Sequence, residues 1–209
     1  MTSKDGGKGA RTRGAVLRAA VERFGRDGYR ATSVADIARD AGVGGTVPYA
    51  YFTSKADLFL AALDDDTAGV MTEGLAHITD DPDDRSWRQN LVFTLVEALE
   101  THPLAKRVLA GLEPDATDRV IELPALAELS KAVVERLRTE QAAGKVRPDI
   151  DARAIGNGAV VIIISLMMSV LQFGGDRTRP HSRDVLAVFE AAIDPLPAPS
   201  TRRTDRPDP

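Results

Sequence analysis

The chain has no cysteine among its 209 residues, only three histidines, and 5% aromatic side chains. Without cysteine there is no disulfide framework, no thiolate metal site and no cysteine nucleophile. His77, His102 and His181 are scattered, with no metal-ligand spacing, so no metal is expected. Gly6-Gly7 and Gly44-Gly45 lack the pattern of a phosphate-binding loop, and no serine sits in a nucleophile elbow. The carboxylates of Asp64-Asp65-Asp66 and Asp80-Asp81-Pro82-Asp83-Asp84 are consecutive rather than spaced along one helical face. They read as solvated helix ends and linkers. No catalytic residue and no cofactor follow from the sequence, and an enzyme is not expected.

Long apolar runs are also missing. The longest, Ala159–Leu171, is broken by Ser165 and Ser169 and falls short of the roughly 20 residues a membrane span needs. A buried helix is the expectation there, with no membrane partner. Met1–Ala10 is polar and Gly/Lys-rich, without the apolar core of a secretory leader, so the cytoplasm is the expected compartment.

Charge is unevenly placed within a net of -4. The first 55 residues carry ten basic and five acidic side chains, a balance of +5 that leaves -9 for the rest. A basic head on an acidic body suits a head that meets phosphates, although a solvated basic helix would look the same.

Few alternating β-branched runs occur, and apolar positions recur at helical spacing almost throughout, so the expected fold is all-α with about nine helices. Residues 1–10 read as a disordered arm. Leu17, Ala20, Val21 and Phe24 then form the stripe of an amphipathic helix that Gly28 ends. Ser33 opens a second helix as the cap of a capping box in which Asp36 reaches back to the cap amide. Ala41-Gly42-Val43 breaks that helix, and a short third one runs to about Phe52. Ser54-Lys55-Ala56-Asp57 is a second capping box, opening a longer helix toward His77. Further helices are expected over 85–101, 104–112, 123–143, 152–173 and 182–193, with prolines in or beside the breaks. The Pro/Arg-rich stretch 195–209 reads as a disordered tail. The segments are therefore 1–10, a three-helix head at 11–55, a larger helical body at 56–194, and 195–209.

The head carries a specific pattern: Gly28-Tyr29, Thr32-Ser33-Val34, Asp36-Ile37-Ala38, Ala41-Gly42-Val43, Tyr49, Tyr51-Phe52 and Ser54-Lys55. In these residues and their spacing, 11–63 resembles the DNA-binding head of TetR-type repressors. The small residue and glycine at 41–42 supply what a helix-turn-helix needs at its turn. The resemblance implies a homodimeric, sequence-specific regulator, most simply a repressor, on a palindromic double-stranded DNA operator. It implies that Gly45, Thr46, Val47, Tyr49 and Tyr51 face DNA, that Ser33 and Lys55 touch phosphates, and that Phe24, Ile37 and Phe52 hold the head together. Tyr49 and Tyr51 also have a reading as packing aromatics, Lys55 as a solvated lysine, and the basic Arg11–Arg13 as either a backbone-tracking arm or an idle one.

The sequence departs from the family pattern where Gly44, Thr46 and Pro48 replace a serine, a glycine and an aliphatic residue. Proline inside a helix costs about 3 kcal/mol but is harmless in the first turn. With Gly45 as cap, Pro48 falls within that turn; with Gly44 as cap, it lies one residue too deep. The expectation is a short recognition helix starting at Thr46, with few side chains able to read bases directly and DNA shape supplying part of the specificity.

In the body, 152–173 is apolar nearly all round and calls for burial on several sides. The resemblance implies that this helix and the last one pair with their symmetry mates; completing a monomer core is the alternative. It also implies a small-molecule effector inside the body, with Met71, Trp87, Leu91, Phe93, Leu126, Met167 and Met168 as candidate contacts. The shortage of ionisable groups there suggests a mostly hydrophobic effector. Gly69 and Gly74 in the helix after the head either soften it or permit close packing. Two other readings stay open: a ligand-binding or interaction module whose head has lost sequence readout, and an activator on the same fold.

Overall fold

The computed structural model describes residues 4–79, 87–117 and 122–194. Among them are nine α-helices and no strand: α1 Lys4–Ala31, α2 Val34–Asp40, α3 Lys55–Thr79, α4 Trp87–Ala98, α5 Pro103–Leu109, α6 Pro114–Thr117, α7 Pro124–Ala142, α8 Ala152–Phe173 and α9 Gly175–Ile193. Between α2 and α3 lies one 3₁₀ turn, Val47–Ala50. The acidic run at 80–84 and the tail at 195–209 fall outside the described residues.

Helix α1 starts earlier than the sequence suggests: Lys4–Ala10 is helical rather than a disordered arm. Its apolar stripe continues inward through Val16, Leu17, Ala20, Val21 and Phe24, all buried. The helix breaks at Gly28, where φ is 83°. A side chain is unwelcome there for a second reason, since a Cβ would stand 2.6 Å from Arg107 Nη2 and 2.8 Å from Glu113 Oε1.

Helix α3 belongs to head and body together. It packs on α1 and α5 at one end and on α4 and α7 along its length, while α8 joins the body through α7 and α9. Gly69 and Gly74 are close-packing sites: a Cβ would lie 2.2 Å from His102 Cε1 at the first and 2.5 Å from Leu95 Cδ2 at the second. Asp66, in a run that reads as solvated, is buried and accepts the backbone N–H groups of Leu104 (2.9 Å) and Ala105 (2.8 Å). It thereby satisfies two of the orphan donors at the start of α5, and His102 Nδ1 lies 2.8 Å from its other oxygen.

The body also buries a polar cluster. Glu140 accepts hydrogen bonds from Trp87 Nε1 (2.8 Å), Arg88 Nη2 (2.7 Å) and Arg136 Nε (3.1 Å). Burial pushes the Glu140 carboxyl up, but the bonds from Arg88 and Trp87 outweigh it and hold the group below the ordinary glutamate value. A carboxyl lowered in this way stabilises the fold fully above the ordinary value, and that contribution is lost as the pH falls from there through the lowered value it has in the fold. Glu140→Gln, which removes the buried charge on which Trp87, Arg88 and Arg136 converge, is expected to lose about 3–5 kcal/mol in urea unfolding at neutral pH. The gap to the unaltered protein should narrow as the pH drops below 4.5.

Candidate nucleic-acid interface

The two helices flanking residues 41–54 are each fixed by their caps. Ser33 caps α2, its Oγ accepting from the Asp36 amide at 3.1 Å. The box closes differently from the expected one: the Asp36 carboxylate accepts from the Ser33 hydroxyl at 2.6 Å and from Arg39, not from the cap amide. Those two donors, the hydroxyl first, hold Asp36 below the usual carboxylate range. The Ser33 hydroxyl proton is thus engaged, and a phosphate would have to displace a carboxylate to take it.

At the end of α2 the chain reverses through a Schellman motif, with Gly42 N–H on Arg39 O at 3.1 Å and Val43 N–H on Ala38 O at 2.9 Å. Gly42 takes the left-handed conformation this requires, with φ 67°. At the far side, Ser54 Oγ accepts from the Asp57 amide at 3.0 Å while Asp57 accepts from the Thr53 amide at 2.7 Å. This second box is reciprocal, but it closes on the residue before the cap.

Between these caps lies a reading element reduced to one turn. Val47–Ala50 is a 3₁₀ helix capped at Thr46, whose side chain makes no capping bond. The element starts one residue later than expected and is 3₁₀ rather than α. Pro48 lies in its first turn, where its missing N–H costs nothing, and is buried against the head. Its carbonyl takes the amides of Tyr51 and Phe52, both at 3.0 Å, which turns the chain toward α3. At about 2 Å rise per residue, such a turn spans only about 8 Å, shorter than an α-helix laid along a groove.

The turn still sorts its side chains into two sets. Phe52 is buried with Phe24 and Ile37, as the sequence pattern implies. Tyr49 is 57% exposed, and Gly45 and Thr46 are exposed beside it. Val47 and Tyr51 are half-buried. Lys55 sits with its ammonium 4.3 Å from the centre of the Tyr29 ring, which places it at the head of α3 rather than loose in solvent. Tyr29 and Phe24 both pack against Phe59, with centroids 5.1 Å away in each case.

The basic charge of the head is only partly free. Arg23 is bonded to Asp40 and Asp27, Arg26 to Asp27, and Arg39 to Asp36. Lys8, Arg11, Arg13 and Arg18 on the first half of α1 form no ion pair among the described residues. Arg13 lies over the Phe52 ring, 5.2 Å from its centre, a contact that sequence spacing does not disclose.

The body candidates divide. Met71, Trp87, Leu91, Leu126 and Met167 are buried in one continuous core, with Met168 partly buried against it. Phe93 is a correction: at 69% exposed it points away from the core and cannot line an interior pocket. The scarcity of ionisable groups is corrected too, because Trp87 touches the Glu140–Arg88–Arg136 cluster. A groove of about 440 Å³ lies instead on the outer face of α8 and α9, lined by Ile155, Gly158, Ile162, Val185, Val188 and Phe189 among others. None of the seven candidates borders it.

Comparison with known proteins agrees with this geometry. Residues 16–62 match the family model for bacterial regulatory proteins of the tetR family. No curated protein matches the chain. Among solved structures, the fold is similar to a TetR-family transcriptional regulator from Pectobacterium atrosepticum, with a TM-score of 0.74 at 17% identity, over 91% of this chain and 98% of the other. It is also similar to a putative TetR-family regulator from Mesorhizobium loti (0.69, 20%, over 90% and 99%). A γ-butyrolactone receptor described as ArpA-like shares the fold at 0.57 and 19%, over 90% and 91%.

The division between core and surface aromatics has a direct check. Tyr49→Ala should change unfolding free energy by no more than about 0.5 kcal/mol. Phe52→Ala should cost about 3–5 kcal/mol, both read by denaturant unfolding.

Proposed function

With a TetR-family head at residues 16–62, we propose that the chain is a sequence-specific DNA-binding transcriptional regulator that works as a homodimer. The head turn carries this reading: a helix-turn-helix whose caps, Schellman reversal and exposed Tyr49 present one short element outward from a rigid aromatic core. Its biological form is most simply a repressor, released from a palindromic operator by a small molecule.

The dimer is supported by the outer face of α8 and α9. Val161 (57% exposed), Ile162 (42%), Phe173 (62%) and Val188 (71%) lie open on these helices. Helix α8 is long and apolar enough to cross a bilayer by composition, with 28% of its apolar window buried inside the chain. A second copy covering this face meets the burial demand without a membrane. Two-fold symmetry then sets the two reading turns for successive major grooves, 34–36 Å apart in such dimers.

Ligand control is supported by the way α3 spans head and body. The five buried candidates, Met71 on α3 itself and Trp87, Leu91, Leu126 and Met167 beside it, share one core, so a ligand bound among them must part them. Parting them moves α3, and the head moves with it through Lys55, Tyr29 and the Tyr29 amide bonded to Glu113 Oε1 at 3.0 Å. The ligand acts only through a difference in affinity between the two arrangements.

The test is binding of the purified protein to DNA flanking its own gene and to scrambled DNA, each at two salt concentrations. The expected result is tight, sequence-dependent binding with a palindromic footprint, lost in Val188→Asp together with the dimer in sedimentation. Equal, weak binding to both DNAs that vanishes with salt would reject sequence readout in favour of a body-centred module.

A further inference from the structure

The shortened turn offers few groups to DNA, and the free cations of the head are gathered on one neighbouring element. From Gly6 to Val21 the sequence contains no acidic residue, while Lys8, Arg11, Arg13 and Arg18 all fall within it. Lys8, Arg11, Arg13 and Arg18 are exposed and lie outside the ion pairs that occupy Arg23, Arg26 and Arg39. Charge that is not neutralised within the protein is the kind that releases counterions from a polyanion.

Position connects this segment to the reading turn. A Cβ built on Gly9 would lie 3.8 Å from Tyr51 Oη, so the early part of α1 runs directly beside the end of Val47–Ala50. Arg13 over Phe52 holds it there, one helical turn further on. Helix α1 then continues for five residues before Gly9, to Lys4, about 7.5 Å beyond the contact with Tyr51. A duplex approached by Tyr49 and Tyr51 therefore meets this extension as well.

Resting on the DNA-binding reading above, we propose that the first turns of α1, from Gly7 to Arg13, form a second DNA-contact surface. Lys8 and Arg11, three residues apart and so neighbours on the helix surface, contact phosphates flanking the base pairs faced by the reading turn. Arg13 acts as a positioning residue that fixes the extension against Phe52. The surface supplies affinity without sequence information, because phosphates position a protein and base edges specify the site.

The experiment is the salt dependence of affinity for the unaltered protein and for Lys8→Ala/Arg11→Ala, on the selected operator and on scrambled DNA. Both substitutions are on exposed positions, and unchanged helical circular dichroism establishes that the variant is folded. Loss of two phosphate contacts from each of the dimer's two heads, four in all, should reduce the slope of log affinity against log salt by about 4, equally on both DNAs, and leave the preference between them intact. An unchanged slope overturns the proposal, as does a variant that loses preference while keeping its slope. If the unaltered protein itself prefers neither DNA, sequence readout fails, yet the slope difference on scrambled DNA still decides the role of Lys8 and Arg11.

Discussion

Asp66 is a carboxylate buried in the middle of α3, and the start of α5 is built on it. The Leu104 and Ala105 amides and the His102 ring all converge on its two oxygens. With α5 held in this way, its far end and the loop after it offer Arg107 and Glu113 to the broken end of α1, where Glu113 takes the Tyr29 amide. The head is therefore not a bead on a linker. It is tied to the body by a shared helix, α3, and by a chain of buried or half-buried polar groups running from Asp66 to Gly28. An unpaired buried carboxylate is costly, so the arrangement persists as a unit or not at all.

That rigidity gives the reading turn its meaning. A four-residue 3₁₀ turn has little stability of its own, yet here it is pinned at both ends, by Val43 and the Schellman motif and by Phe52 and the Ser54 cap. Pro48 belongs to the same solution: it is placed where a proline costs no hydrogen bond, and its ring is buried in the head. The element loses length and base-reading side chains. The cationic first turns of α1 lie beside it, with Gly9 next to Tyr51 and Arg13 over Phe52.

Much of the head was legible because its signals are local. The capping serines, the Ala41-Gly42 reversal and the stripe Leu17, Ala20, Val21, Phe24 act within one or two turns of chain, and each produces the element it predicts. The length of α1 was not legible, since the glycines at 6, 7 and 9 argue against helix while the contact with Tyr51 is a tertiary one. In the body, boundaries followed the prolines, but Asp66, Glu113 and Glu140 were not foreseen as buried. A faint signal existed: Asp66 falls three residues after Leu63 and four before Val70, on the apolar stripe, and Glu140 stands in the same relation to Leu137. Phe93 shows the opposite failure, an aromatic whose identity suggests a pocket and whose position on α4 points to solvent.

The central claim is that this reduced head still reads sequence as a symmetric pair. Selection of bound duplexes from a random DNA pool by the full chain tests it most directly. The account predicts enrichment of two-fold-symmetric sites with half-site centres about one helical turn apart and only a few specified base pairs in each half. A pool that stays random through selection, or a single asymmetric consensus, would contradict it.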